Sequence, residues 1–202
     1  MRDFPIGKYK QGEDILPAFW TALTADDVPV LQRQMRGRRF SVDSVLAVAT
    51  RCSKGFPQVV VSSPISPNGT PFPTIFWLTC PYLDRRCGAL ESEQQITVLE
   101  SVFATMPDEI KKMHREYAAL RVVLAGGKDS KIIAAMSDGM RRTIKESGVG
   151  GINWHDAPHA AKCLHLQTAT WLGIGAHPAQ KWLSEKLCLI ECVDGMCAVR
   201  TS

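Results

Sequence analysis

The chain has 202 residues, 45% of them hydrophobic and 22% charged, with a formal net charge of +4. That length suits one domain with a sizeable core, and the mild basicity permits a polyanionic partner without demanding one. No window holds the roughly 18 apolar residues of a membrane span, and Asp3, Pro5, Lys8, Lys10 and Glu13 interrupt any signal-peptide core. Seven cysteines without an export signal point to thiols, metal ligands or redox chemistry rather than a disulfide framework, and hence to the cytoplasm.

Residues 1–23 show no sustained period and read as a loosely ordered lead-in, with Phe19 and Trp20 as the residues able to dock on the body. Thr24 is placed to cap a helix with Asp26 and Asp27 in its first turn, with Val30, Leu31 and Met35 on its apolar face and Gly37 as its stop. Arg33, Arg36, Arg38 and Arg39 follow closely. They fit a solvated helix end, where cations suit the macrodipole, or a phosphate or RNA contact.

Three runs then have strand character: 45–52, 58–63 and 74–80, all rich in β-branched or aromatic residues. Their short connections predict an antiparallel meander. In such a meander the first and third strands run the same way, so Cys52 and Cys80 are expected at one edge of the sheet.

From Pro81 the periodicity is helical. Pro107-Asp108-Glu109 starts a helix that Gly126-Gly127 ends, and a further one is expected over 130–146. With no repeat and no long linker, the chain reads as a single α+β domain over 1–202. It is expected to be a small antiparallel three-stranded sheet packed against five or six helices.

The densest chemistry follows Gly148-Val149-Gly150-Gly151-Ile152, because four of the five histidines fall within 155–177. The glycines lack dinucleotide-binding spacing. Two readings stay open: positive φ between helices, or a backbone nest in which Gly150 and Gly151 hold an anion. A helix expected from Asp156, with Pro158 in its first turn, puts His159 and Cys163 on one side and Lys162 and His165 on another.

Two metal sets follow from that geometry. One gathers Cys52, Cys80, Cys163 and His159 around zinc or another soft metal. The other recruits His165 through a distorted helix start. A rival reading uses Arg51, Lys162 and His165 to bind a phosphate-rich ligand or RNA, with Lys162 and His165 as the candidates for acid–base catalysis. The tail cysteines Cys188, Cys192 and Cys197 match no zinc-ribbon or ferredoxin spacing. They fit a short strand or a hairpin around Asp194-Gly195, with redox chemistry as the other reading.

At Thr70-Pro-Phe-Pro-Thr74, Leu78-Thr-Cys-Pro81, Leu90-Glu91, Gly148-Val-Gly-Gly-Ile152 and Lys162-Cys-Leu-His165, the chain resembles a bacterial family known as domain of unknown function five hundred and one, over about 45–185. The resemblance implies cytoplasmic proteins, often encoded near an exopolyphosphatase-type phosphatase and division genes, and it implies no established activity. By motif match it carries over Cys52, Cys80, Lys162, Cys163 and His165. Ala176-His-Pro-Ala-Gln180 departs from the Asn-Pro-x-Gly pattern expected there. The leading expectation is a Cys/His metal site, structural or catalytic. An anion-binding module and a plain protein–protein interaction partner are the alternatives.

Overall fold

The fold is built on β1 (Val45–Arg51), β2 (Pro57–Ser62) and β3 (Phe76–Leu78), an antiparallel meander in the order β1-β2-β3. These elements come from a computed structural model that describes residues 19–66, 68–127 and 129–193. β2 is buried along its whole length, because both faces of the sheet are covered. This explains its run of valines in place of apolar–polar alternation. Val59 and Val61 enter the main core with Ala47 and Phe76. Val60 turns to the other face, where it packs with Val48 and Leu31.

That second face is closed by α1 (Asp27–Gln34) and by aromatic packing, with Phe72 stacked on Trp77 at 5.6 Å and Phe40 edge-on to it at 5.5 Å. The N-cap residue of α1 is Asp26, which makes no side-chain cap, and Thr24 instead donates its amide and hydroxyl to Asp27 Oδ2, each at 2.9 Å. The expected Thr24 cap therefore does not form, since its hydroxyl is a donor to the helix's first residue. Trp20 docks as expected. Its ring packs on Phe76 and its Nε1 donates to Gly173 O at 2.9 Å, while Thr21 and Val48 exchange backbone hydrogen bonds.

Beyond the sheet lie α2 (Pro81–Ser92), α3 (Gln95–Ala104), α4 (Pro107–Leu124), α5 (Lys131–Ala134), α6 (Asp138–Lys145), α7 (Leu164–Ile174) and α8 (Gln180–Leu187). The fold class is the expected α+β, with eight helices among the described residues where five or six were anticipated. The helical run expected from Pro81 and the helix expected over 130–146 are each divided. Gln94 takes a left-handed conformation (φ 58) between α2 and α3. α5 closes at Ala135, and Ser137 caps α6 by accepting from Met140 N.

α7 is the central helix. Leu164, Leu166, Gln167, Thr168, Ala169, Thr170, Gly173 and Ile174 are all buried, and a methyl at Gly173 would run into the Phe76 ring. Gln167 is bonded internally, with Nε2 donating to Ala161 O and Oε1 meeting His177 Nε2 at 3.0 Å, whereas the buried Thr170 hydroxyl has no hydrogen-bond partner among the described residues. Among the described residues no helix is long and apolar enough to cross a membrane.

Candidate metal centre

The helix expected from Asp156 does not form. Asp156 accepts from Asn153 Nδ2 at 2.6 Å, so its carboxylate is not available to cap. Lys162 then takes φ 68, a left-handed conformation that breaks any helical run. Two carboxylates from distant helices hold the extended stretch: Glu100 accepts from Ala161 N at 3.0 Å and Glu91 from Leu164 N at 2.6 Å. The helix therefore starts at Leu164, with Cys163 as an extended N-cap residue (φ −161, ψ 156) whose sulfur accepts from Leu166 N.

This late start changes the geometry of the Lys-Cys-Leu-His stretch. On a regular helix Cys163 and His165 would point apart. With Cys163 extended, they converge. Glu91, Cys163 and His165 bring one ligand atom each within 4.8 Å of one another, and all three are half-buried. Glu91 comes from α2, where Asp84 lies seven residues earlier, two turns away and on the same face.

His165 is held from both sides. Nδ1 lies 2.9 Å from Glu91 Oε1, and Nε2 lies 3.1 Å from both Asp84 O and Asp84 Oδ1. Arg38 in turn bonds Asp84 Oδ1 at 2.5 Å. With an acceptor at each ring nitrogen, the imidazole is stabilised as the cation. Its pKa is raised to about 9 by the hydrogen bond to Cys163, burial opposes this, and Glu91 and Asp84 reinforce it.

The first metal set of the sequence does not assemble. Among the described residues, Glu91, Cys163 and His165 form the one cluster of three or more such donors, and Cys52, Cys80 and His159 are not in it. His159 drops out because 156–163 is not helical, so the one-turn relation to Cys163 is lost. Cys52 and Cys80 do reach one edge of the sheet. They line a small cavity of about 10 Å³ together with Lys54, Phe56, Pro57, Gln58 and Cys192.

The members of the anion set, Arg51, Lys162 and His165, are each held by a different protein partner. Arg51 forms a two-pronged pair with Asp27, at 2.6 and 2.7 Å, which lowers the Asp27 pKa to about 2. Lys162 Nζ donates to Gly150 O at 2.7 Å, tying the glycine loop to the Cys-His stretch.

Gly150 (φ 56) and Gly151 (φ 87) are needed for conformation and close packing. A methyl on Gly150 would collide with Leu166, and one on Gly151 with Pro73. Loop amides are already used: Val149 N donates to His114 Nδ1, Gly151 N to Gly148 O, and Ile152 N to Val149 O. From below, the fully buried Arg121 donates to the carbonyls of Pro73, Ile144, Ser147 and Gly148. Burial lowers its pKa to about 10.

Asp84 and Glu91 were missed as site residues in the sequence. Their seven-residue spacing on a helix, with Glu91 inside the Leu90-Glu91 motif, was the available signal. A family model described as "Protein of unknown function (DUF501)" matches residues 48–185. The chain belongs to the DUF501 family. The DUF501 match contains Cys52, Cys80, Asp84, Glu91, Cys163 and His165, and ends before Cys188 and Cys192. No curated protein and no solved structure matches the chain. The hairpin expected around Asp194-Gly195, and Cys197, lie outside the described residues.

Proposed function

We propose that the protein binds a borderline-soft divalent ion, zinc being the best match, through Glu91, Cys163 and His165. The convergence of carboxylate, thiol and imidazole within 4.8 Å carries this reading. Zinc accepts all three donor types, and three protein ligands leave a fourth position for water or a substrate atom, as in catalytic rather than structural zinc sites. Bound there, the ion supplies Lewis acidity.

The surroundings fit such an ion. Asp84 faces Nε2 of His165 and holds the ring while Nδ1, on the Glu91 side, is the ligating nitrogen. Metal-bound histidines commonly have such a carboxylate behind them. Leu166 N donates to the Cys163 sulfur and Leu164 N to Glu91 Oε1, so both anionic donors are oriented by the first turn of α7. None of the six described cysteines is in a disulfide, which suits a reducing compartment such as the cytoplasm.

A second reading is favoured by one observation. Cys163 sits at the N-cap of an 11-residue helix with its sulfur within 4.8 Å of a His165 ring nitrogen, an arrangement that also serves a thiolate–imidazolium nucleophile. The anion-binding alternative has less support, since Arg51, Lys162 and His165 are each bonded to protein acceptors.

The test is metal analysis of the purified full chain alongside Cys163→Ser and His165→Ala. The metal reading expects one zinc per chain in the wild type and a large loss of affinity in each variant. Metal-free wild-type protein whose Cys163 alkylates fast, with the rate falling in His165→Ala, supports the nucleophile instead.

A further inference from the structure

Cys192 stands at a junction. On one side it lines the small cavity that also holds Cys52 and Cys80. On the other it lines an open groove of about 540 Å³ walled by Tyr82, Arg85, Arg86, Leu189, Glu191 and Val193. Three cysteines far apart in sequence thus meet at one end of the sheet, beside two arginines of α2. Cys80 is the N-cap residue of that helix.

The tail that carries Cys192 is fixed to the sheet. Gln58 Nε2 donates to Ile190 O at 2.6 Å, and Ser53 N donates to Glu191 Oε2 at 3.0 Å. The second bond sets Glu191 beside Ser53, each one residue from a cysteine that lines the small cavity. Cys80 is the more enclosed partner, at 4% exposure, whereas Cys52 and Cys192 are half-buried. The Arg86 guanidinium is anchored by a bond from Nη2 to Lys186 O. Its Nε is buried without a hydrogen-bond partner among the described residues.

We propose that this is a thiol–disulfide exchange site for a low-molecular-weight anionic disulfide of the glutathione type. The carboxylates of the ligand meet Arg85 and Arg86 in the groove, since charge-assisted bonds to guanidinium groups are the strong ones. Its disulfide then lies over Cys192.

The Cys192 thiolate attacks one ligand sulfur, forming a mixed disulfide and breaking the ligand's S–S bond. One ligand thiolate leaves and takes up a proton. The Cys52 thiolate next attacks the Cys192 sulfur, forming the Cys52–Cys192 bond and expelling the second ligand thiol. Two protein thiols are oxidised and one ligand disulfide is reduced to two thiols. The product fastens the C-terminal segment to the end of β1. A three-thiolate metal site fits less well, because Cys52, Cys80 and Cys192 do not bring their sulfurs within 4.8 Å of one another.

The test uses the reduced full chain and glutathione disulfide as the probe, with acid quenching, alkylation and peptide mapping by mass spectrometry. The wild type is expected to yield a Cys52–Cys192 disulfide. Cys52→Ser, or Cys52→Ala should the serine variant fold poorly, is expected to accumulate glutathione on Cys192. Adding Arg85→Gln and Arg86→Gln to that variant should slow the adduct about tenfold, as expected for losing charge-assisted bonds, while leaving its reaction with neutral hydroxyethyl disulfide unchanged. Modification of the exposed Cys188 in preference to Cys192 overturns the proposal. So does a wild-type mixed disulfide that never resolves, a Cys80–Cys192 bridge in place of Cys52–Cys192, or an equal slowing with both disulfides.

Discussion

His165 Nδ1 lies 2.9 Å from Glu91 Oε1, and the same carboxylate oxygen accepts the Leu164 amide at 2.6 Å across 73 residues of sequence. One oxygen atom therefore both caps α7 and belongs to the metal-ligand cluster. The two roles can be separated by substitution, because capping needs an acceptor whereas metal binding needs a charged donor.

Glu91→Gln keeps an acceptor for the Leu164 amide and removes the charge. Glu91→Ala removes both. In metal-free protein the alanine variant should lose about 1–2 kcal/mol more than the glutamine variant in urea denaturation, the usual cost of deleting a cap. Both should bind zinc far more weakly than the wild type. Wild-type zinc affinity in Glu91→Gln would remove Glu91 from the ligand set.

Gly150→Ala should destabilise the protein by about 1–3 kcal/mol, from strain at positive φ together with overpacking against Leu166. Gly139→Ala, an α6 position where a methyl meets nothing within 4 Å, should cost nothing measurable or stabilise slightly. Chemical denaturation of the two variants checks the contrast. Equal stabilities would mean that the glycine loop is not packed as described.

Acid should destabilise the fold through two buried histidines. Burial lowers the His114 pKa to about 4 and the His177 pKa to about 3, from 6.5. Both are neutral in the folded state, so their contribution is fully present above pH 6.5 and is lost as pH falls towards those values. Asp27 acts lower, because its stabilisation is lost only from about pH 3.8 towards about 2. Melting temperatures between pH 7 and pH 4 should therefore decline, and His177→Asn should flatten the decline. An unchanged slope would place the acid sensitivity elsewhere.

The sheet was legible because β-branched runs between turn residues have few alternatives, and the edge position of Cys52 and Cys80 followed from the meander alone. The metal site was only half legible. The placement of Cys163 and His165 on different sides assumed a regular helix from Asp156, and that helix fails for tertiary reasons. Glu91 and Glu100, on other helices, take the amides of Leu164 and Ala161 and hold the approach extended. Nothing local in 156–163 announces those partners. The glycine loop was partly legible: positive φ was one of the two open readings, but its dense packing against Leu166, Pro73 and His114 belongs to the folded core.

The central claim is tested most directly by cobalt(II) substitution of the metal-free full chain, followed by absorption spectroscopy. With Glu91, Cys163 and His165 as ligands, one equivalent of cobalt should give the visible bands of a four- or five-coordinate site and a thiolate-to-cobalt charge-transfer band in the near ultraviolet. Cys163→Ser should abolish the charge-transfer band, while Cys52→Ser and Cys80→Ser should leave it intact. A charge-transfer band that survives in Cys163→Ser and disappears in Cys52→Ser or Cys80→Ser would contradict the account, as would a wild-type protein that takes up no cobalt at all.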